Sequence, residues 1–301
     1  MGRANASACY RELGAELRKR REAANVTAAH VADDAGWDRT KISRIESGHA
    51  DISTVDVILY LGACGIYAGA AQDVIQLCRT AVANQGYWLS PHGEWLEDSL
   101  TSLIYHESTA DRSISYEPQL IPGLLQTPAY ARVRISSKAS LMSRSTDEAL
   151  GIRRKRQEII HRPRAADFMF FVHEQALRNE VGDPAIMHEQ LLQMVLTAAL
   201  ENVTLRIIPA EREHSVLGGP FRLFEYRKHP PLLYLDNVLT GVFVEERDVV
   251  GDYYRYLLPE LKAVALDEGE SREFAASLAD EYDRGRPKRD APIYELEEEQ
   301  L

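Results

Sequence analysis

Apolar positions recur at helical spacing through the first part of the chain, then alternate or bunch in short runs through the rest. The most informative pattern is the string VTAAHVADDAGWDRTKISRIESGH, from Val26 to His49. Ala28, Ala29, Val31 and Ala32 give one short helix its small apolar face. Thr27 is placed to cap that helix, and Gly36 to close it in the left-handed conformation that a tight turn needs. Asp38 stands where a second helix needs an N-cap, and Ile42 and Ile45 supply that helix's inward stripe. Gly48 ends it. Two short helices around a glycine-containing turn make a helix-turn-helix layout, whose second helix fits a DNA major groove. The outward positions of that second helix are Arg39, Thr40, Lys41, Ser43 and Arg44.

The same periodicity organises the flanks. Residues 1–10 read as a flexible leader. A helix is expected from Arg11 to Ala24 with Leu13, Leu17 and Ala24 inward. Another is expected from Ser53 to Leu61 with Val55, Ile58, Leu59 and Leu61 buried, and a fifth from Ala70 to Ala83 with Val74, Ile75, Leu77, Cys78 and Val82 buried. Residues 11–85 thus predict an all-α head of five helices. Residues 86–94, with Ser90-Pro91-His92-Gly93, read as a linker.

Residues 95–283 predict an α+β domain. A helix with Trp95, Leu96, Leu100, Leu103 and Ile104 on one face precedes a strand at Ser113–Glu117. Thr127 caps a helix that has Pro128 at its first position, and Ser145 with Glu148 forms a capping box for the next. Strands are expected at Phe168–Val172 and Val203–Ile208, then at Phe221–Tyr226, Leu232–Leu235 and Val238–Val244 in hairpin-like spacing. Helices are expected from Asp183 to Leu200, Val249 to Leu266 and Ser271 to Asp283. Residues 284–301 end in an acidic run and read as a disordered tail.

Composition sharpens this picture. The hydrophobic fraction of 45% supports a packed core, and the net charge of −11 at first argues against nucleic acid. The charge is unevenly placed, however. Residues 1–85 carry 10 Lys/Arg against 10 Asp/Glu, and residues 86–301 carry the remaining 25 against 36. The head is therefore neutral, with its cations bunched at Arg18–Arg21 and along the second helix of the motif. An acidic body weakens non-specific phosphate attraction and leaves more of the affinity to specific contacts. Arg39 and Arg44 can each make bidentate bonds to guanine, and Thr40 can meet a thymine methyl or a phosphate. Cys9, Cys64 and Cys78 show no paired spacing, which fits a reducing compartment. No secretory signal and no membrane-length apolar run is found, so a cytoplasmic protein without membrane contact is expected.

The head resembles the xenobiotic-response-element (XRE) family of bacterial helix-turn-helix regulators, related to phage repressors. Leu17, Arg21, Val26, Val31, Ala32, Ala35-Gly36, Ile42-Ser43-Arg44-Ile45-Glu46 and Gly48 carry the resemblance. It implies a phage-repressor-like head with DNA contacts from Thr27, Asp38, Arg39, Thr40, Lys41, Ser43 and Arg44. It further implies that Arg21 pairs with Glu46 to orient the recognition helix, and that the protein binds a double-stranded operator as a homodimer. Ala28 departs from the glutamine common in that family, which removes one phosphate contact. The string ISYEPQLIPGLLQTPAYAR, from Ile114 to Arg132, resembles the hallmark of the WhiJ-like, antitoxin-like regulatory domain that follows such heads. It implies a transcription regulator whose body mediates dimerisation and binds a partner, often a small protein encoded nearby. An antitoxin-like protein that sequesters such a partner and autoregulates its operon is one alternative, and a one-component small-molecule sensor is another.

No enzyme, metal or cofactor chemistry emerges. His173-Glu174-Gln175 and His188-Glu189-Gln190 lack a second histidine four positions on, so they fail as zinc-protease motifs and read as helix-surface residues. His214 reads as part of a polar hairpin loop. Gly218-Gly219 lacks the lysine of a phosphate loop, and no nucleophile motif is present. The run Arg153–Arg156 reads as solvated or paired with nearby acids, with a second DNA contact as the alternative. Tyr253, Tyr254 and Tyr256 span both faces of one helix, so at least one is expected to be exposed or at an interface, and packing is favoured over a ligand cage.

Overall fold

The computed structural model describes residues 6–84, 86–90, 97–137, 145–163, 165–212, 218–236 and 241–284. The head opens with α1 (Ala8–Ala23), capped by Ser7. Ala6, Ala8, Cys9 and Tyr10 are buried, so the expected leader is structured from Ala6 onward, and residues 1–5 lie outside the described region. The reason is tertiary: this end of α1 rests on the second half of the chain, where the Ala8 N–H donates to the Glu245 carboxylate at 2.8 Å. Next come α2 (Ala28–Ala35), α3 (Arg39–Glu46), α4 (Thr54–Ala63), a 3-10 turn (Ala68–Ala71) and α5 (Gln72–Ala83). Leu13, Leu17, Val31, Ala32, Ile42 and Ile45 form the centre of their core.

The expected burial of α4 holds for Leu61 and fails for Val55, Ile58 and Leu59. Val57, Tyr60 and Leu61 face inward, whereas Val55 is 65% exposed, and Ile58 and Leu59 lie outside as well. Both stripes of this helix are apolar, so periodicity alone does not choose between them. Tyr60 settles the phase, because its hydroxyl reaches Glu46 only when its ring enters the core. Val82 on α5 is also exposed.

The expected linker contains a strand. Tyr87–Ser90 is β1, and it pairs antiparallel with β7 (Gly241–Val244). The other strands are β2 (Arg112–Glu117), β3 (Asp167–His173), β4 (Val203–Ile208), β5 (Phe221–Glu225) and β6 (Leu232–Asp236). The sheet order is β1-β7-β6-β5-β2-β3-β4. Strands β2, β3 and β4 are mutually parallel and the rest pair antiparallel. An all-α head is thus followed by an α+β body.

Strand alternation sorts the sheet into two faces. One face is covered by α11 (Arg247–Asp252), a π-helical turn (Tyr253–Leu257) and α12 (Leu258–Val264), over Ile114, Phe171 and Leu223. At one end of the opposite face, α10 (Pro184–Thr197) and α13 (Glu268–Asp283) pack over Phe168, Phe170 and Leu205. At the other end of that face, Trp88, Phe224, Leu232, Tyr234 and Phe243 join the same apolar cluster as the head. Between sheet and head lies α6 (Glu97–Thr109). Its Ser102 hydroxyl donates to Glu12 of α1 at 2.5 Å, and its buried His106 approaches the same carboxylate at 3.5 Å. Head and body therefore share a core.

Candidate nucleic-acid interface

The turn between α2 and α3 is built from local chemistry. The Thr27 hydroxyl accepts from the His30 N–H, and Gly36 closes α2 at φ 66°. The Asp38 carboxylate accepts from the N–H (2.7 Å) and the hydroxyl (2.6 Å) of Thr40, and these bonds hold its pKa below the usual carboxylate value. Asp38 and Thr40 thus form one unit at the start of α3. Ile42 and Ile45 are buried, while Arg39, Thr40, Ser43 and Arg44 are exposed.

The cations of α3 differ in freedom. Among the described residues, Arg39 has no hydrogen-bond or ion-pair partner. Arg44 makes one long bond, to the His49 carbonyl at 3.3 Å. Lys41 is engaged, with its ammonium 2.9 Å from Asp56 and 3.8 Å from the centre of the half-buried Trp37 ring. On α1, Arg18 pairs with Glu22, Lys19 with Glu16, and Arg20 with Glu16 and Asp73. That basic run is largely neutralised by its own neighbourhood.

Behind the outward face, α3 is held by a buried polar clamp. Arg21 meets Glu46 in a bidentate pair at 2.7 and 3.1 Å and donates to the Val26 carbonyl at 2.9 Å. The Tyr60 hydroxyl donates to Glu46 at 2.5 Å. Burial, then the Glu46 carboxylate, push the Tyr60 phenol well above its usual value. Tyr60 is the member of this site that the sequence pattern does not announce, and a lone phenol within an apolar helix is its only signal. Two close backbone approaches complete the support. A side chain on Gly14 of α1 would strike the carbonyls of Ile45 and Glu46, and one on Gly48 would strike the backbone of Arg11. The C-terminal end of α3 is thereby seated directly on α1.

In the body, the Pro122–Thr127 segment forms a buried turn held by side-chain amides. Gln157 donates to the carbonyls of Gly123 (3.1 Å) and Gln126 (2.6 Å). Gln190 accepts from the Thr127 N–H and donates to the Leu125 carbonyl. Thr127 caps α7 (Pro128–Ser136), which packs beside α8 (Thr146–Gln157). The basic run on α8 divides. Arg154 and Lys155 are exposed, but Arg156 is buried in a bidentate pair with Glu107 at 2.5 and 2.6 Å, which removes it from any DNA contact. Arg222 of β5 bonds Glu117 at 2.9 Å and Glu107 at 3.5 Å.

The histidine motifs have structural duties. His173 is buried and caps the short helix α9 (Glu174–Arg178), so it is not the helix-surface residue expected. His188 is half-buried and bonds the Ala279 carbonyl. His214 and the tail from 285 lie outside the described residues. Among the described residues no acid, histidine or cysteine cluster could hold a metal ion, and no helix is long and apolar enough to cross a membrane.

Residues 12–74 match the family model of a helix-turn-helix domain. Residues 100–277 match that of a domain of unknown function, DUF5753. No curated protein and no solved structure is similar enough to the chain to count as a match.

Proposed function

Since the chain belongs to the DUF5753 family and joins that domain to a helix-turn-helix head, we propose that it is a sequence-specific transcriptional regulator of the XRE type, without catalytic activity. One observation carries the reading. Helix α3 turns Arg39, Thr40, Ser43 and Arg44 outward while Arg21, Glu46 and Tyr60 fix it from behind. A helix so fixed can present side chains to base edges at a defined register, and the neutral head leaves discrimination to those few contacts. Thr27 and Asp38 stand at helix N-termini, where backbone N–H groups favour phosphate.

Operator selection from randomised DNA tests this. Arg39→Ala and Arg44→Ala are each expected to lose about 1–3 kcal/mol of discrimination at a particular base pair. Selectivity unchanged in both variants sinks the assignment of α3.

The same reading includes a homodimer on a two-fold operator, with half-sites about one helical turn apart, its contact placed on the head and not on the body as the resemblance implied. Its support is the outward stripe of Val55, Ile58 and Leu59 on α4, next to the α3 residue Lys41 through the Lys41–Asp56 pair. A contiguous apolar stripe of this kind marks an interaction surface. Ile58→Glu is expected to shift sedimentation toward the monomer and to weaken operator binding. A dimer of wild-type affinity in that variant places the interface elsewhere.

A further inference from the structure

The body holds three guanidiniums around two buried carboxylates. Glu107 is paired with Arg156 through both oxygens and lies 3.5 Å from Arg222, and Glu117 accepts from Arg222 through one oxygen. Among the described residues, the third guanidinium, that of Arg153, bonds only the neutral Gln126 amide oxygen, at 3.1 Å. It lies against Gly123, where any side chain would strike it, so the turn is shaped to admit it. Asp236, at the exposed end of β6, accepts from the Tyr234 hydroxyl at 3.4 Å and makes no bond to Arg153. Burial, and then the like charges of Arg156 and Arg222, hold the Arg153 guanidinium below its usual pKa. A cation left in this setting favours a bound anion.

Arg153 also lines a cavity of about 250 Å³ between α7 and α8. Ala129, Ala131 and Leu150 give it apolar walls, and Arg132 and Arg154 stand at its margin. Arg132 is already paired with Asp147 at 3.0 Å, which leaves Arg153 as the inner charge available to an occupant. The volume is just below the usual span for ligand pockets, roughly 300–1,000 Å³, so an occupant would be small.

We propose that this cavity binds a small organic carboxylate, its anionic group on Arg153 and its apolar part against Ala129, Ala131 and Leu150. A carboxylate can take two parallel N–H bonds from a guanidinium, which a neutral amide oxygen cannot match. It would also bring the clustered guanidiniums and carboxylates to equal number. The apolar walls favour a carboxylate carrying a ring or short chain over a bare inorganic anion.

Calorimetric titration of the full chain with benzoate, hexanoate, benzamide and inorganic phosphate tests the proposal without DNA, so its outcome is independent of the operator reading. At least one of the two carboxylates is expected to bind, one per chain, and benzamide and phosphate are not. Arg153→Gln is expected to weaken that binding by about tenfold or more, the loss of one charge-assisted contact. Ala129→Trp fills the cavity from its margin without touching the buried charges, and is expected to abolish binding while circular dichroism and melting stay as in the wild type. Benzamide or phosphate binding as well as the carboxylates overturns the proposal. So does wild-type carboxylate affinity in both variants, or no binding by either carboxylate at millimolar concentration.

Discussion

Two helices of this protein carry nearly the same basic text and use it in opposite ways. On α3, Arg39 and Arg44 stand outside with few protein partners. On α8, the run Arg153 to Arg156 sends its first and last members inward, toward Gln126 and Glu107, and leaves the middle two outside. The spacing explains the split, since positions three apart share a helix face. What differs is the ground beneath. Beneath α3 lies an apolar core of Ile42 and Ile45, with the half-buried acid Glu46 already held by Arg21 and Tyr60. Beneath α8 lies Glu107, a buried acid on α6 whose bidentate partner is Arg156. A basic run is thus sent outward or inward by the acids waiting elsewhere in the chain, and the run itself does not reveal which.

That contrast can be broken at several points. The largest effect is expected from Glu107→Gln, which leaves Arg156 buried beside a neutral amide and weakens the hold on Arg222. The loss should be about 3–5 kcal/mol in denaturant unfolding. A cost under about 1 kcal/mol, as for a surface pair, shows that the body's arginines are solvated like those of α3. Arg21→Ala should come next, with the same mechanism but one acid and a remaining Tyr60 bond: a loss toward the lower end of about 3–5 kcal/mol, with operator binding falling in parallel. Stability equal to wild type contradicts the clamp. Both effects should exceed those of Arg39→Ala and Arg44→Ala on folding, which are expected to stay within about 0.5 kcal/mol.

A smaller effect is expected where head meets body. His106 is fully buried, and burial holds its pKa below the ordinary histidine value despite the nearby Glu12 carboxylate. Arg11, Tyr226 and Glu245 also surround this junction. A depressed folded pKa means that the unfolded chain takes up a proton which the folded ring refuses. Its contribution is therefore full above the ordinary histidine pKa, about 6.5, and declines as pH falls below it. The melting temperature should fall between about pH 7.5 and pH 5.5, and His106→Gln should flatten that slope. An equally steep slope in the variant shows that other groups set the acid response.

Much of the candidate interface was legible in the sequence because its chemistry is local. Thr27, Gly36 and Asp38 act within a few residues of themselves, so their roles as caps and turn follow from residue type and position. Ile42 and Ile45 lie on the inward face that their spacing predicts. In the body, Thr127, Pro128 and the Ser145–Glu148 capping box start helices for the same reason. Legibility fails where partners are remote. The strand β1 looks like a linker, because four residues followed by Pro91 carry no strand signal without β7 beside them. The inward face of α4 is misjudged because both its faces are apolar and the deciding bond, from Tyr60 to Glu46, runs to another helix. His173 looks like a helix-surface residue because its place at the end of β3 depends on pairing with β4.

The sequence by itself determined the helix-turn-helix, its caps, the outward set on α3 and the α+β character of the body, since all of these rest on periodicity and backbone chemistry over short spans. Tertiary structure alone decided that the head and body share a core through α6, and that Arg156 is buried while Arg39 stays exposed. It also decided that Arg153 is left as the odd cation beside a cavity. The physical reason is common to all three. The cost of burying a charge depends on whether an opposite charge or a hydrogen-bond partner arrives at the same place, and only the folded chain brings distant residues there.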